Sequence, residues 1–187
     1  MVRIDRVVTR GGDQGETSLG DGARIRKDAA RINAIGAVDE ANAAIGVLRV
    51  STRDTPDIDA MLARIQNDLF DVGADVCVPG EAGERLRVTE APVERLEAEI
   101  QAMNASLPKL TSFVLPGGSE GGARAHMARV IVRRAERDVV RMAADETVTP
   151  ALLRYLNRLS DHLFVLARVL NGNGAEEVLW VPGGAPR

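Results

Sequence analysis

Apolar residues recur at helical spacing along most of this chain. Between about Ala30 and Val50 the small residues Gly36, Ala37, Ala41, Ala43, Ala44 and Gly46 crowd a proline-free stretch, which predicts a helix able to approach its neighbours closely. From Pro56 to Val78 two seven-residue series interleave, Ile58, Ile65, Val72 with Leu62, Leu69, Val76. That is the seam of a bundle helix, stopped by Pro79-Gly80. Residues 80–88 read as a polar loop. Thr89 stands as a cap before a third helix, with Pro92 in its first turn and Val93, Leu96, Ile100 and Met103 on one face. Phe113, Val114 and Leu115 form a short extended segment broken by Pro116-Gly117-Gly118. The fourth helix follows and ends near Ala144, with Ala128, Ile131, Val132, Ala135, Val139 and Met142 turned to the core. A fifth runs from Pro150 to the stop signal Asn171-Gly172, with a seam of Leu156, Leu159, Leu163, Leu166 and Leu170. Glu177 to Val181 is a short apolar tail containing Trp180.

The polar positions carry more information than the core. Arg129, Arg133, Glu136 and Arg137 fall on one stripe of the fourth helix about 100° wide. Three guanidiniums repel one another beyond what one carboxylate offsets unless an anion sits among them, although such a stripe is also what a solvated face looks like. On the fifth helix Asn157, Asp161, Phe164 and Arg168 make a second column, about 60° wide. Asp39 projects with Ile32, Ile35, Gly36 and Gly46, a side expected to be buried, so its carboxylate calls for a partner, structural or functional. Residues 1–28 hold no period and read as a loop. Either it is a loose terminus, or its glycines, with Arg10, Thr17, Ser18 and Lys27, supply the N–H groups, hydroxyls and cations that wrap a polyphosphate. It is neither a P-loop nor a dinucleotide-binding fingerprint.

Composition narrows the classes. At 187 residues, 45% apolar but only 3% aromatic, the chain suits packed helices in one domain. A net charge of −3 argues against general nucleic-acid binding, and Cys77, the single cysteine, against an internal disulfide. No apolar run approaches the roughly 20 residues that span a bilayer, and a cytoplasmic protein is expected. Neither His126 nor His162 follows a glutamate by three residues, so a ferritin-like metal site is excluded, and both read as ordinary helix residues. Cys77 reads as a packed thiol, and no nucleophile elbow or triad order appears. What remains is positioning of an anion by arginines and glycine-rich loops, with a reactive ligand making the bond.

TRGGDQGETSL, Lys27, AIGAVDEAN, FVLPGGS, ARVIVRRAER and YLNRLSDHLFVLAR, in this order from about Thr9 to Arg168, closely resemble the PduO-type ATP:cob(I)alamin adenosyltransferases. Gly11 stands where the family more usually has Thr, and Ala41 where it has Leu. The resemblance implies an all-α five-helix bundle forming a homotrimer, with residues 1–28 as the ATP loop, 29–172 as the bundle and 173–187 as a tail. ATP and the corrinoid would meet at subunit interfaces. It implies that Thr9, Arg10, Gly11, Gly12, Asp13, Gly15, Thr17, Ser18 and Lys27 form the ATP loop. Arg133, Arg134, Glu136, Arg137 and Asn157 would complete the nucleotide site, with Asp161 in the same helix-five motif. Mg²⁺ would bridge the phosphates, with Glu136 as its candidate protein ligand. Phe113 would press on the lower face of the corrin, and Asp39 would pair with Arg129 of a neighbour beside the cobalt. The implied partners are a reductase and an adenosylcobalamin-dependent acceptor enzyme, with no nucleic acid or membrane. The competing reading is a non-catalytic carrier of nucleotide or corrinoid.

Overall fold

The computed structural model describes residues 8–80 and 85–184; the expectations for residues 1–7, 81–84 and 185–187 lie outside the described residues. Five helices carry the fold: α1 (Ala30–Arg49), α2 (Pro56–Cys77), α3 (Glu90–Asn104), α4 (Glu120–Met142) and α5 (Pro150–Leu170). α4 packs against both α1 and α5, α2 covers α1, and α3 covers α5. The core is the one the apolar periodicity predicts. Leu62, Ile65, Leu69 and Val72 of α2, Val132, Ala135 and Val139 of α4, and Leu156, Leu159, Leu163 and Leu166 of α5 are buried together. Ala41, the smaller residue in the family's motif, is fully buried among them, which makes it a packing position. Among the described residues no helix is long and apolar enough to cross a membrane.

The helix ends depart from the sequence reading in small ways. Thr89 stands at the N-cap of α3, but its side chain makes no capping bond. Thr149, which precedes Pro150 of α5, turns its hydroxyl to Asp75 on α2 instead, at 3.0 Å. Ser119 does cap α4, accepting from Gly122 N–H at 3.0 Å.

Two polar clusters tie the bundle together from inside. Arg31, only 3% exposed, pairs with Glu146 and donates to the Val76 carbonyl. Asp68 accepts from Tyr155 Oη on α5 at 2.9 Å and pairs with Arg95 of α3. Burial pushes the Asp68 carboxyl above its ordinary range, against the pull of Tyr155 and Arg95, and pushes the Tyr155 phenol well up. His162 is likewise structural, its Nε2 lying 3.0 Å from Glu99.

The N-terminal stretch is not the featureless loop expected. Residues Glu16–Ser18 (β1) and Arg24–Arg26 (β2) pair antiparallel, Glu16 opposite Arg26 and Ser18 opposite Arg24. Gly22, at φ +88°, sits in the turn between them, where a side chain would be strained. The hairpin rests on the end of α2 through Gly20 N–H to the Cys77 carbonyl, 3.4 Å, and a Cβ at Gly20 would lie 2.8 Å from Val78.

Candidate active site

The arginine stripe of α4 and the polar column of α5 meet. Arg129, Arg133, Glu136 and Arg137 lie along α4 in two turns, and Asn157 of α5 donates its amide to Glu136 Oε1 at 2.9 Å. Arg133 and Arg137 are exposed, with Arg137 returning a bond to the Arg133 carbonyl at 3.1 Å. Arg129 is half-buried, and its Nε has no hydrogen-bond partner among the described residues. Burial and the neighbouring Arg133 both push its pKa down. A cation in that state is short of a counter-anion.

Above Arg129 opens a concavity of about 670 Å³, lined by Leu110, Thr111, Ser112, Phe113, Val114, Arg129, Phe164 and Trp180. Phe113 stands 78% exposed at its mouth, an unusual position for a large aromatic ring. The backbone that carries Phe113 is set from the other side. Asn171, at the end of α5 and 1% exposed, accepts from Ser119 N–H at 2.9 Å and donates to the Gly117 carbonyl at 3.0 Å. A Cβ at Gly118 or Gly122 would lie 2.4 or 2.0 Å from Asn171 Oδ1, so the close approach of α5 demands glycine at these two positions.

The loop before β1 is closed as tightly. Asp13 N–H bonds to the Arg10 carbonyl, Gly15 N–H to the Gly12 carbonyl at 3.2 Å, and Lys27 N–H to the Gly15 carbonyl at 2.8 Å. Arg10 holds a left-handed backbone at φ +58° and Gly15 one at +82°. A Cβ at Gly12 would come within 2.9 Å of Lys27 Nζ, so the ammonium lies directly over the turn. Gly11 is less constrained: a Cβ there would sit 3.7 Å from Thr9 Oγ1, ordinary contact. Arg24, which the sequence reading missed, holds the loop to the hairpin by donating to the Gly11 carbonyl at 2.7 Å and to Ser18 Oγ at 3.3 Å. Thr17, on β1, is half-buried opposite Ile25.

Four residues singled out in the sequence sit differently. Asp39 is exposed, not buried: it lines a separate concavity of about 420 Å³ between α1 and α2, with Ile35, Gly36, Phe70, Gly73 and Cys77. That concavity shares no lining residue with the one at Arg129. Asp39 projects where the periodicity put it, but among the described residues nothing covers that face. Arg168 leaves the polar column altogether; it is 4% exposed and bonds Glu177 at 2.8 Å and the Pro108 carbonyl at 2.8 Å. Arg134 points to α1, where it pairs with Glu40, and Asp161 accepts from Arg158 at 2.5 Å. Among the described residues no group of three or more His, Cys, Asp or Glu could hold a metal ion.

The family model for cobalamin adenosyltransferase matches residues 7–170. This chain belongs to the cobalamin adenosyltransferase family. A cobalamin adenosyltransferase of Cupriavidus metallidurans is 47% identical over 180 residues, 95% of either chain. A corrinoid adenosyltransferase of Mycobacterium tuberculosis is 47% identical over 188 residues, 98% of this chain and 96% of the relative. The PduO protein of Citrobacter freundii is 40% identical over 164 residues, 49% of its own length. Among solved structures, a phenylalanine-to-histidine variant of a PduO-type ATP:corrinoid adenosyltransferase from Lactobacillus reuteri, complexed with cobalamin and ATP, superposes with a TM-score of 0.88. It is 31% identical, covering 94% of this chain and 96% of that one. The protein is therefore an enzyme of the PduO-type corrinoid adenosyltransferases, and the five-helix architecture is the one its relatives share.

Proposed function

We propose that this enzyme transfers the 5′-deoxyadenosyl group of ATP to the cobalt of cob(I)alamin, releasing triphosphate, at sites formed between the copies of a homotrimer. The observation that carries the reading is the half-buried Arg129 guanidinium, short of a counter-anion, beside an aromatic-lined concavity and in line with Arg133 and Arg137. A flat apolar macrocycle suits the concavity with its exposed Phe113. A polyanion suits the stripe below it. The counter-anion for Arg129 is Asp39 of a neighbouring copy, which accounts for a carboxylate exposed in one chain and a cation unpaired in the same chain.

In this reading the Thr9–Gly15 turn, Thr17, Ser18 and Lys27 of one copy close over the triphosphate, and Arg133, Arg137 and Asn157 of another complete the nucleotide site. Arg134, held by Glu40, and Asp161, held by Arg158, act mainly by fixing the shape of that wall. Phe113 presses the lower face of the substrate and excludes the axial base, leaving four-coordinate cobalt whose empty axial position makes reduction easier. The substrate's Co(I) then attacks the 5′-carbon, the C–O bond breaks, and its electron pair leaves with the triphosphate. No side chain needs to act as nucleophile or base. The protein aligns the reactants and neutralises charge growing on the leaving oxygen. Glu136, the one protein carboxylate within the stripe, would be the protein's ligand for a Mg²⁺ ion, which would screen the charge of the triphosphate. A cytoplasmic reductase supplies the electron, and an adenosylcobalamin-dependent enzyme receives the product.

The test is an anaerobic assay with ATP, Mg²⁺ and chemically reduced cobalamin. Appearance of the adenosylcobalamin spectrum with release of triphosphate supports the assignment. Tight binding of both substrates with no spectral change would make the protein a carrier instead.

A further inference from the structure

Glu177–Val181 is the apolar segment that the site as described does not use, yet it is built into the mouth of the Phe113 concavity. Its root is fixed by the Glu177–Arg168 pair, with side chains 4% and 5% exposed, and by Arg168 to the Pro108 carbonyl, which joins the tail, α5 and the loop after α3. Beyond the root it runs antiparallel to the Phe113 segment. Leu115 N–H donates to the Val178 carbonyl at 2.8 Å, Trp180 N–H to the Phe113 carbonyl at 2.7 Å, and Ser112 Oγ to the Trp180 carbonyl at 2.7 Å. Val114 bridges Leu179, so Phe113 and Trp180 stand opposite each other on one face. Their ring centroids are 6.0 Å apart at 55°, within the range of an attractive tilted pair. Both rings line the same concavity.

An aromatic ring 78% exposed has few contacts to fix its rotamer, and the segment that bears it is held by one isolated antiparallel bridge, Val114 to Leu179, with no other β partner among the described residues. We infer that the tail is a brace for Phe113 and that Trp180 is the positioning residue that sets the ring against the lower face of the corrinoid. The inference rests on the proposed function for its consequence, since only there does the angle of the Phe113 ring decide how far the axial base is excluded. Without the Trp180 ring, Phe113 keeps its backbone pairing but gains rotamers, and fewer bound substrates lose the base.

The experiment uses the full chain with Trp180→Ala, Trp180→Phe, Phe113→Ala and the Trp180→Ala/Phe113→Ala pair. The fraction of four-coordinate cob(II)alamin is read by electron paramagnetic resonance at saturating ATP and Mg²⁺. Trp180→Ala should lower that fraction roughly tenfold, a misplacement of about 1 Å costing up to about 10²-fold in such settings. ATP affinity should stay within about twofold, because Trp180 lies off the arginine stripe. Trp180→Phe should recover most of the loss, and the double variant should resemble Phe113→Ala alone, since one residue acts through the other. A wild-type fraction in Trp180→Ala, or additive losses in the double variant, overturns the brace. A second readout does not depend on activity. Trp180 is the only tryptophan, so Phe113→Ala must shift its fluorescence, and Trp180→Ala must speed amide exchange at residues 112–115. If wild type makes no adenosylcobalamin while both of these changes occur, the proposed function fails and the brace stands. If neither occurs in an active enzyme, the brace fails alone.

Discussion

Asn157 on α5 donates its side-chain amide to Glu136 on α4 across 2.9 Å, and this bond joins two polar columns that belong to different helices. It fixes the carboxylate beside Arg133, one turn away, and leaves that guanidinium exposed and free for a ligand.

Arg133→Ala should therefore lose most activity, on the order of 10²–10³-fold in kcat, by removing a charge-stabilising donor. Its melting temperature should stay near wild type, because the residue lies off the buried face of α4. Arg133→Lys should recover little, since an ammonium lacks the planar fork that meets two phosphate oxygens. Steady-state kinetics beside thermal melts check both; near-normal turnover in either variant moves the ATP site elsewhere.

Asn171→Ala tests the joint that places Phe113. The substitution strands Gly117 C=O and Ser119 N–H in a half-buried setting and opens space against Gly118 and Gly122. Leaving buried polar groups unpaired costs about 1–3 kcal/mol each, so the urea midpoint should fall clearly. Because the same joint orients the segment before α4, corrinoid affinity should fall further than ATP affinity. An unchanged midpoint would mean that water replaces the amide.

The buried His126 gives a pH dependence of known sign. It is 3% exposed, neither ring nitrogen has a partner, and it meets Phe164 edge-on at 6.2 Å. Burial, then Arg129, push its pKa below the ordinary histidine value, with Glu177 opposing. The unfolded chain thus binds the proton more readily, so the stability His126 confers is fully present above about pH 6.5 and is lost as pH falls through the depressed value. Urea unfolding at several pH values between 5 and 8 should show wild type losing stability relative to His126→Gln on acidification. Parallel curves would contradict this.

The Thr9–Lys27 segment should tighten around nucleotide. Its turns are closed by single backbone bonds and its side chains are largely exposed, so phosphate contacts have freedom left to remove. Limited proteolysis with and without ATP and Mg²⁺ should show protection near residues 9–27. Equal cleavage in both samples would count against this loop as the ATP loop.

The helices were legible because their apolar periods are long. The Leu62–Leu69–Val76 and Leu156–Leu163–Leu170 series end up in or against one core, and the Arg129–Arg137 stripe lies where helical geometry put it. The hairpin at Glu16–Ser18 and Arg24–Arg26 was missed because three-residue strands are too short for alternation to register, although Leu-Gly-Asp-Gly between two such runs is a turn signal. Arg168 was misplaced for a different reason: its ion partner Glu177 lies beyond the helix, and periodicity sees only one helix at a time. Asp39 was read as buried from the apolar company it keeps. Among the described residues that face stays open, because a single-helix pattern records which residues share a face and not whether another element packs on it.

Mixing two inactive variants tests whether one copy's Asp39 meets another copy's Arg129 at a shared site. Asp39→Asn and Arg129→Ala chains each lack one half of every pair, and stranding the other charge of a buried pair costs roughly 3–5 kcal/mol. Co-refolded in equal amounts into trimers, they should regenerate intact Asp39–Arg129 contacts at about one interface in four, with adenosylcobalamin formation recovering toward about a quarter of wild type. No recovery, while each variant alone still forms trimers, would contradict the cross-copy pairing, and a monomeric wild-type protein in solution would contradict the shared site itself.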